Sequence, residues 1–233
     1  ILGRAVPLEV AEAVASEHKQ QGVKIRCDVQ LDHIQALKSG YTVKLKNGEA
    51  ITGDLVVAGI GAVPEIALAE AASLDIENGV SVNAFLQTSD PDIYAVGDCC
   101  SFPHPLYEKQ RIRLEMWRCA RDQAECAVQN LLGKTKEFSA VPWFWSDQFE
   151  LSLQVVGLPS FAKRVIPRTR PDGVTIYFGL NDQERLVSAA GVGTGNSVAK
   201  DIRLAEMLIA VQKTLNPVEL SDPNLNLKKL LKN

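Results

Sequence analysis

The 233-residue chain is poor in the groups that many site chemistries need. Its three histidines, His18, His33 and His104, are scattered without ligand spacing, so no metal centre is expected. Its five cysteines are Cys27, Cys99, Cys100, Cys119 and Cys126. The number is odd and no pair has C-x-x-C spacing, which counts against a redox dithiol and favours reduced thiols in a cytoplasmic setting. Neither sign of charge dominates: 25 Lys and Arg against 28 Asp and Glu give a net −3, which carries no footprint for nucleic acid or an anionic membrane. No run approaches the roughly 18 apolar residues of a membrane-crossing helix. The opening Ile1-Leu-Gly-Arg-Ala-Val-Pro7 has neither a secretion signal nor an initiator Met. The chain opens in mid-element, so the expectation is the C-terminal portion of a longer protein.

What is present is ordinary globular composition, 46% hydrophobic and 23% charged. Val10, Ala13, Val14 and His18 at helical spacing predict an amphipathic helix over 7–20, ended by Gly22. Val23–Val29 alternates as a strand. Tyr41–Lys46 and Ala50–Leu55 read as a hairpin turned by Asn47-Gly48. The apolar run 55–60 reads as a strand buried on both faces. This order fits the second half of a doubly wound nucleotide-binding domain. A short helix over 64–72, strands over 79–83 and 91–96, and a long helix over 116–132 stopped by Gly133 follow. Beyond a polar linker, strands over 151–156, 174–178 and 186–190 precede a helix over 197–215. The predicted fold class is therefore α/β: partial doubly wound dinucleotide-binding domains over 1–61 and 62–136, then an α+β C-terminal domain over 137–233.

Two stretches carry candidate chemistry. Gly59-Ile-Gly61 closes the run 55–60, where glycines let backbone approach a ligand at a sheet edge; a plain tight turn is the alternative. Thr88-Ser-Asp-Pro-Asp-Ile-Tyr-Ala-Val-Gly97-Asp98 places a carboxylate at a strand end, where it can accept a hydrogen bond from a sugar-like hydroxyl. Capping of a following helix is the alternative. Gly191-Val-Gly193-Thr-Gly195 looks like a phosphate loop but has the wrong spacing, and is read as a turn.

The Thr88–Asp98 segment resembles the second FAD-binding motif of the FAD-dependent pyridine nucleotide-disulfide oxidoreductase superfamily. Pro142-Trp-Phe-Trp-Ser-Asp-Gln148 and Arg113-Leu-Glu-Met-Trp-Arg-Cys-Ala-Arg-Asp-Gln123 are similar to segments of its ferredoxin reductase type. That branch serves putidaredoxin, rubredoxin and the ferredoxins of aromatic-ring dioxygenases. The resemblance implies a reductase passing electrons from NAD(P)H, more often NADH, through FAD to a [2Fe–2S] ferredoxin or rubredoxin. It implies that Gly97 and Asp98 meet the ribityl chain of FAD, that Trp117 bounds the flavin, and that Trp145 shields it where the partner docks. Gly59, Gly61 and Arg4 would face NAD. Both Gly-x-Gly-x-x-Gly fingerprints are missing, so half of each cofactor site is expected upstream of Ile1.

Lys109, Arg111, Arg113, Arg118 and Arg121 cluster in sequence on a net-acidic chain. Arg111 and Arg113 are candidates for docking an acidic ferredoxin; a solvated face is the alternative. A disulfide reductase would share the Asp98 motif, but its C-terminal His-x-x-x-x-Glu has no counterpart, because no His follows His104. A non-catalytic interaction module is the remaining rival.

Overall fold

The computed structural model describes residues 1–3 and 5–231. Arg4 lies outside the described residues. The chain forms two compact units, one of residue 1 with 15–63, the other of 2–14 with 64 onward.

In the first unit, the end of helix α1 (Leu8–Gln20) is followed by an antiparallel sheet of β1 (Leu31–Ala36), β2 (Tyr41–Leu45) and β3 (Ala50–Gly53). The hairpin β2–β3 pairs Val43 with Ile51, as the Asn47-Gly48 turn predicts, and Gly48 has φ +88°. Two expected strands are absent. Residues 23–29 are irregular, and 55–60 form a largely exposed segment without secondary structure, with Ile60 97% accessible. An apolar run becomes a strand only when neighbours supply its ladder of hydrogen bonds. Among the described residues none pairs with 55–60.

The second unit contains α2 (Ala67–Ala71), a small sheet of β4 (Val80–Ser81), β5 (Cys100–Pro103) and β6 (Arg111–Arg113), and the long helix α3 (Trp117–Leu131). β4 and β5 are parallel, β5 and β6 antiparallel. The expected strand over 91–96 is reduced to one bridge, Gln87 to Tyr94. Gly97-Asp98 therefore leads into β5 rather than ending a strand. The Asp92 amide donates to Asp90 Oδ1 and Thr88 Oγ1 to Asp90 O, so short polar side chains close turns there at the expense of a ladder.

The remainder of this unit is a five-stranded antiparallel sheet in the order β7 (Trp143–Gln148), β8 (Leu151–Gly157), β11 (Leu186–Thr194), β10 (Thr175–Leu180), β9 (Arg164–Thr169). Strand periodicity sends alternate residues to opposite faces. Val156, Ala189, Ile176 and Phe178 pack with Ile202, Ala205 and Ile209 of α4 (Ala199–Val211). Val155, Leu153 and Ala190 instead pack with Val6, Val10 and Ala11 from the start of the chain. The sheet is thus covered on both faces. β9 escaped prediction because Pro167 interrupts it, which an edge strand tolerates. The short helices α5 (Pro217–Ser221) and α6 (Leu227–Leu230) also escaped; each is started by an Asn side chain accepting from the backbone, Asn216 from Val218 and Asn226 from Lys228.

The Gly191–Gly195 segment is not a turn as expected. Gly191 and Gly193 lie within β11, and only the residues after Thr194 turn. A Cβ on Gly191 would sit 2.5 Å from Ile176 Cδ1, and one on Gly193 2.3 Å from Ser197 Oγ. The glycines serve close packing under the start of α4, and no phosphate loop is formed.

Candidate functional site

Helix α3 and strand β7 build one side of a cleft of about 670 Å³. Its lining includes Arg113, Trp117, Trp143, Trp145, Leu158 and Pro159. α3 begins at Trp117 because Met116 is extended (φ −139°, ψ 124°), and no side chain caps that end. Its first amide N–H groups are therefore free to meet an electron-rich group. β7 directs Trp143 and Trp145 to one face, since residues two apart in a strand share a side.

The three tryptophans of the chain meet here. Trp143 and Trp145 stack, with centroids 5.1 Å apart at 24°. Trp117 stands edge-on to Trp145 at 6.4 Å and 87°. Trp117 is 69% and Trp145 45% accessible, large areas of indole to leave in water. The structure makes Trp145 a surface ring.

Gly97-Asp98 is held by α3 and β6. The Gly97 amide donates to Gln123 Oε1 at 2.6 Å, and the Gly97 Cα faces Ala120, whose Cβ is 3.6 Å from where a Gly97 Cβ would lie. Gly97 has φ +80°, a conformation glycine adopts without strain. Arg113 Nη1 donates to the Asp98 carbonyl at 2.9 Å. The Asp98 side chain is exposed, and among the described residues no hydrogen bond or ion pair takes up its carboxylate. Its backbone is fixed and its acceptors are free.

Gln123 was not singled out as a site residue. It is buried, and its Nε2 has no partner among the described residues. The signal was available: Ala120 and Gln123 lie one helical turn apart within the Arg113–Gln123 motif, and in the structure both face Gly97.

The arginine cluster resolves differently from its sequence reading. Arg111 donates from Nη1 to Val82 O (3.0 Å) and Ser101 O (2.6 Å) and pairs with Glu77 at 3.0 Å. Arg113 pairs with Glu115 at 2.7 Å and also donates to Asn78 Oδ1. Arg118 pairs with Glu206 and Arg121 with Asp122. Each of these cations faces an acid, so the local excess of positive charge that the sequence suggests is largely compensated.

Two thiols near the turn, Cys100 and Cys119, are held protonated. Burial, joined by the charges of neighbouring groups, pushes Cys100 and Cys119 up to about 12. A thiol held protonated is no nucleophile, and all five cysteines are free. Among the described residues no cluster of His, Cys, Asp or Glu is arranged to hold a metal, and no helix is long and apolar enough to cross a membrane.

Gly59 and Gly61 belong to the first unit. Gly61 has φ +103°, and nothing lies within 4 Å of either Cβ position. The described residues thus bring Trp117, Trp145 and Arg113 to one cleft, with Arg113 also bonded to Asp98; Gly59 and Gly61 are in the other unit.

A cleft walled by indoles, an uncapped helix end and an exposed carboxylate on a glycine turn offer surfaces suited to a flat ring and a hydroxyl-bearing chain. The chain belongs to the pyridine nucleotide-disulphide oxidoreductase family, whose model matches residues 1–124; a reductase C-terminal domain model matches 143–231. The chain is 34% identical over 232 residues to the ferredoxin–NAD(+) reductase component of an anthranilate 1,2-dioxygenase system from Burkholderia cepacia. That match covers 99% of this chain and 56% of the relative. A crystal structure of a ferredoxin reductase from Rhodopseudomonas palustris superposes with TM-score 0.90 at 30% identity, over 99% of this chain and 56% of that one. A covalent putidaredoxin reductase–putidaredoxin complex superposes with TM-score 0.87 at 32% identity, over 97% of this chain and 54% of that one. The chain spans about half the length of the relatives it matches.

Proposed function

We propose that the protein carrying this chain is a cytoplasmic ferredoxin–NAD(+) reductase, taking electrons from NADH through FAD to a [2Fe–2S] ferredoxin that serves an oxygenase. NADPH and a rubredoxin are the secondary choices for donor and acceptor. The observation that carries this reading is the Trp117–Trp145 cleft beside the free Asp98 carboxylate. The residues fit the cofactor: a ring can lie against indoles, and hydroxyls can donate to Asp98. When bound, the flavin supplies acceptance of a hydride and release of electrons one at a time.

The chain's own part is positioning. Asp98 accepts from the cofactor's hydroxyl-bearing chain, with Gly97 allowing close approach. Trp117 bounds one end of the ring site, and the free N–H groups of α3 favour negative charge there. Trp145 excludes water on the side facing a partner. Gly59, Gly61 and Arg4 are the proposed NAD-facing positions. Arg111 and Arg113 remain proposed docking contacts, although their side chains are 27% and 14% exposed and each is paired with an acid. The working division is 1–61 for the NAD part, 62–136 for the FAD part and 137–233 for the C-terminal domain.

The test is spectroscopic. The purified protein should be yellow, lose its visible flavin band on anaerobic addition of NADH, and regain it when an oxidised [2Fe–2S] protein is added. A colourless protein that takes up no FAD would overturn the proposal.

A further inference from the structure

The aromatic wall is braced from behind by a residue that the cofactor reading does not use. Arg118 follows Trp117 on α3 but faces α4. Its Nη2 donates to Glu206 Oε1 at 2.5 Å, its Nε lies 3.5 Å from Asp122, and its guanidinium carbon is 5.5 Å from the Trp143 ring centroid. Glu206 is 8% accessible, and its other oxygen accepts from Arg203 at 2.5 Å. Glu206 therefore fixes the guanidinium from one edge while the indole of Trp143 meets its surroundings. A guanidinium is planar with directed donors, so fastening its edge also sets its position relative to the ring. Trp143 in turn stacks on Trp145, which meets Trp117 edge-on. The contacts run unbroken from α4 to the cleft: Glu206, Arg118, Trp143, Trp145, Trp117.

We propose that Arg118 is a positioning residue for Trp145: clamped by Glu206, it sets Trp143, and Trp143 sets the ring that faces the cleft. Its consequence for electron transfer rests on the reading of Trp145 as the partner-side cover of a flavin; the clamp itself does not. Without the clamp, Trp145 keeps its strand but loses the fixed ring behind it.

Lysine separates the two roles of Arg118, because it can still pair with Glu206 but offers a point charge in place of a plane. The experiment compares the parent protein with Arg118→Lys and Arg118→Leu. It reads the coupled-indole band in difference circular dichroism, acrylamide quenching of tryptophan emission, melting temperature and flavin absorbance. Both variants should lose most of the coupled band, and acrylamide quenching of the tryptophan emission should rise above the parent's. The melting point of Arg118→Lys should fall by no more than about 4 °C. If Arg118→Lys keeps the parent's band and quenching, Arg118 is only an ion-pair clasp and the proposal is overturned. If the band is lost in Arg118→Lys in a protein that binds no flavin, the clamp stands and the flavin reading is what fails.

Discussion

Asp98, the proposed contact to the cofactor's hydroxyl-bearing chain, combines a fixed backbone with a side chain unpaired among the described residues. Three neighbours fix its backbone and none neutralises its side chain. Arg113 bonds its carbonyl, and Gln123 and Ala120 set the glycine before it. Replacing the carboxylate should then leave the fold unchanged and remove one charge-assisted hydrogen bond to the cofactor. Asp98→Ala should weaken FAD retention roughly tenfold to thirtyfold, measured as flavin occupancy after dialysis against a titrated series. Unchanged occupancy would place the ribityl contact elsewhere. The carboxylate was legible in the sequence from its motif. Its supports were less so, because Arg113 binds a carbonyl, and every residue has one.

At the scale of elements, the turn 104–107 is joined to the strand β7 region by a buried histidine. His104 is fully buried, its Nε2 donates to Ala140 O at 3.0 Å, and its Nδ1 accepts from the Leu106 amide at 3.3 Å. Both bonds suit one neutral tautomer, and burial pulls the group down from 6.5 to about 4. The unfolded chain therefore takes up a proton first as pH falls. The contribution is whole above pH 6.5, declines as pH falls from 6.5 towards 4, and is gone below it. It amounts to about 3 kcal/mol. His104→Gln should flatten the loss of stability across that window in denaturant titrations at stepped pH. An equally steep loss in the variant would exclude His104 as its source. Elements with their own punctuation were readable: α3 ends beside Gly133, and the β2–β3 turn is Asn-Gly. Segments 23–29 and 55–60 were not, since an apolar run alone does not state whether partner strands exist. β9 was hidden because Pro167 is acceptable only at an edge, and edge position is decided by topology.

At the scale of the whole molecule, the site is assembled from distant parts of the chain. Trp117 and Trp145 lie in different elements, α3 and β7, and meet at 6.4 Å only because β7 packs beside α3. The motifs announced both tryptophans; their meeting in one half-exposed wall, braced through Arg118 from α4, needed the fold. The central claim is that this wall covers a flavin on the side where a protein acceptor docks. The most direct measurement uses Trp145→Ala in the flavin-loaded protein, with NADH as donor and two acceptors compared: a [2Fe–2S] ferredoxin and ferricyanide. A small acceptor needs no docking surface, whereas a buried aromatic anchor at an interface contributes about 2 kcal/mol, a rate or affinity factor of roughly thirty. Ferredoxin reduction should therefore slow by about that factor while ferricyanide reduction changes little. Equal slowing with both acceptors would contradict the claim.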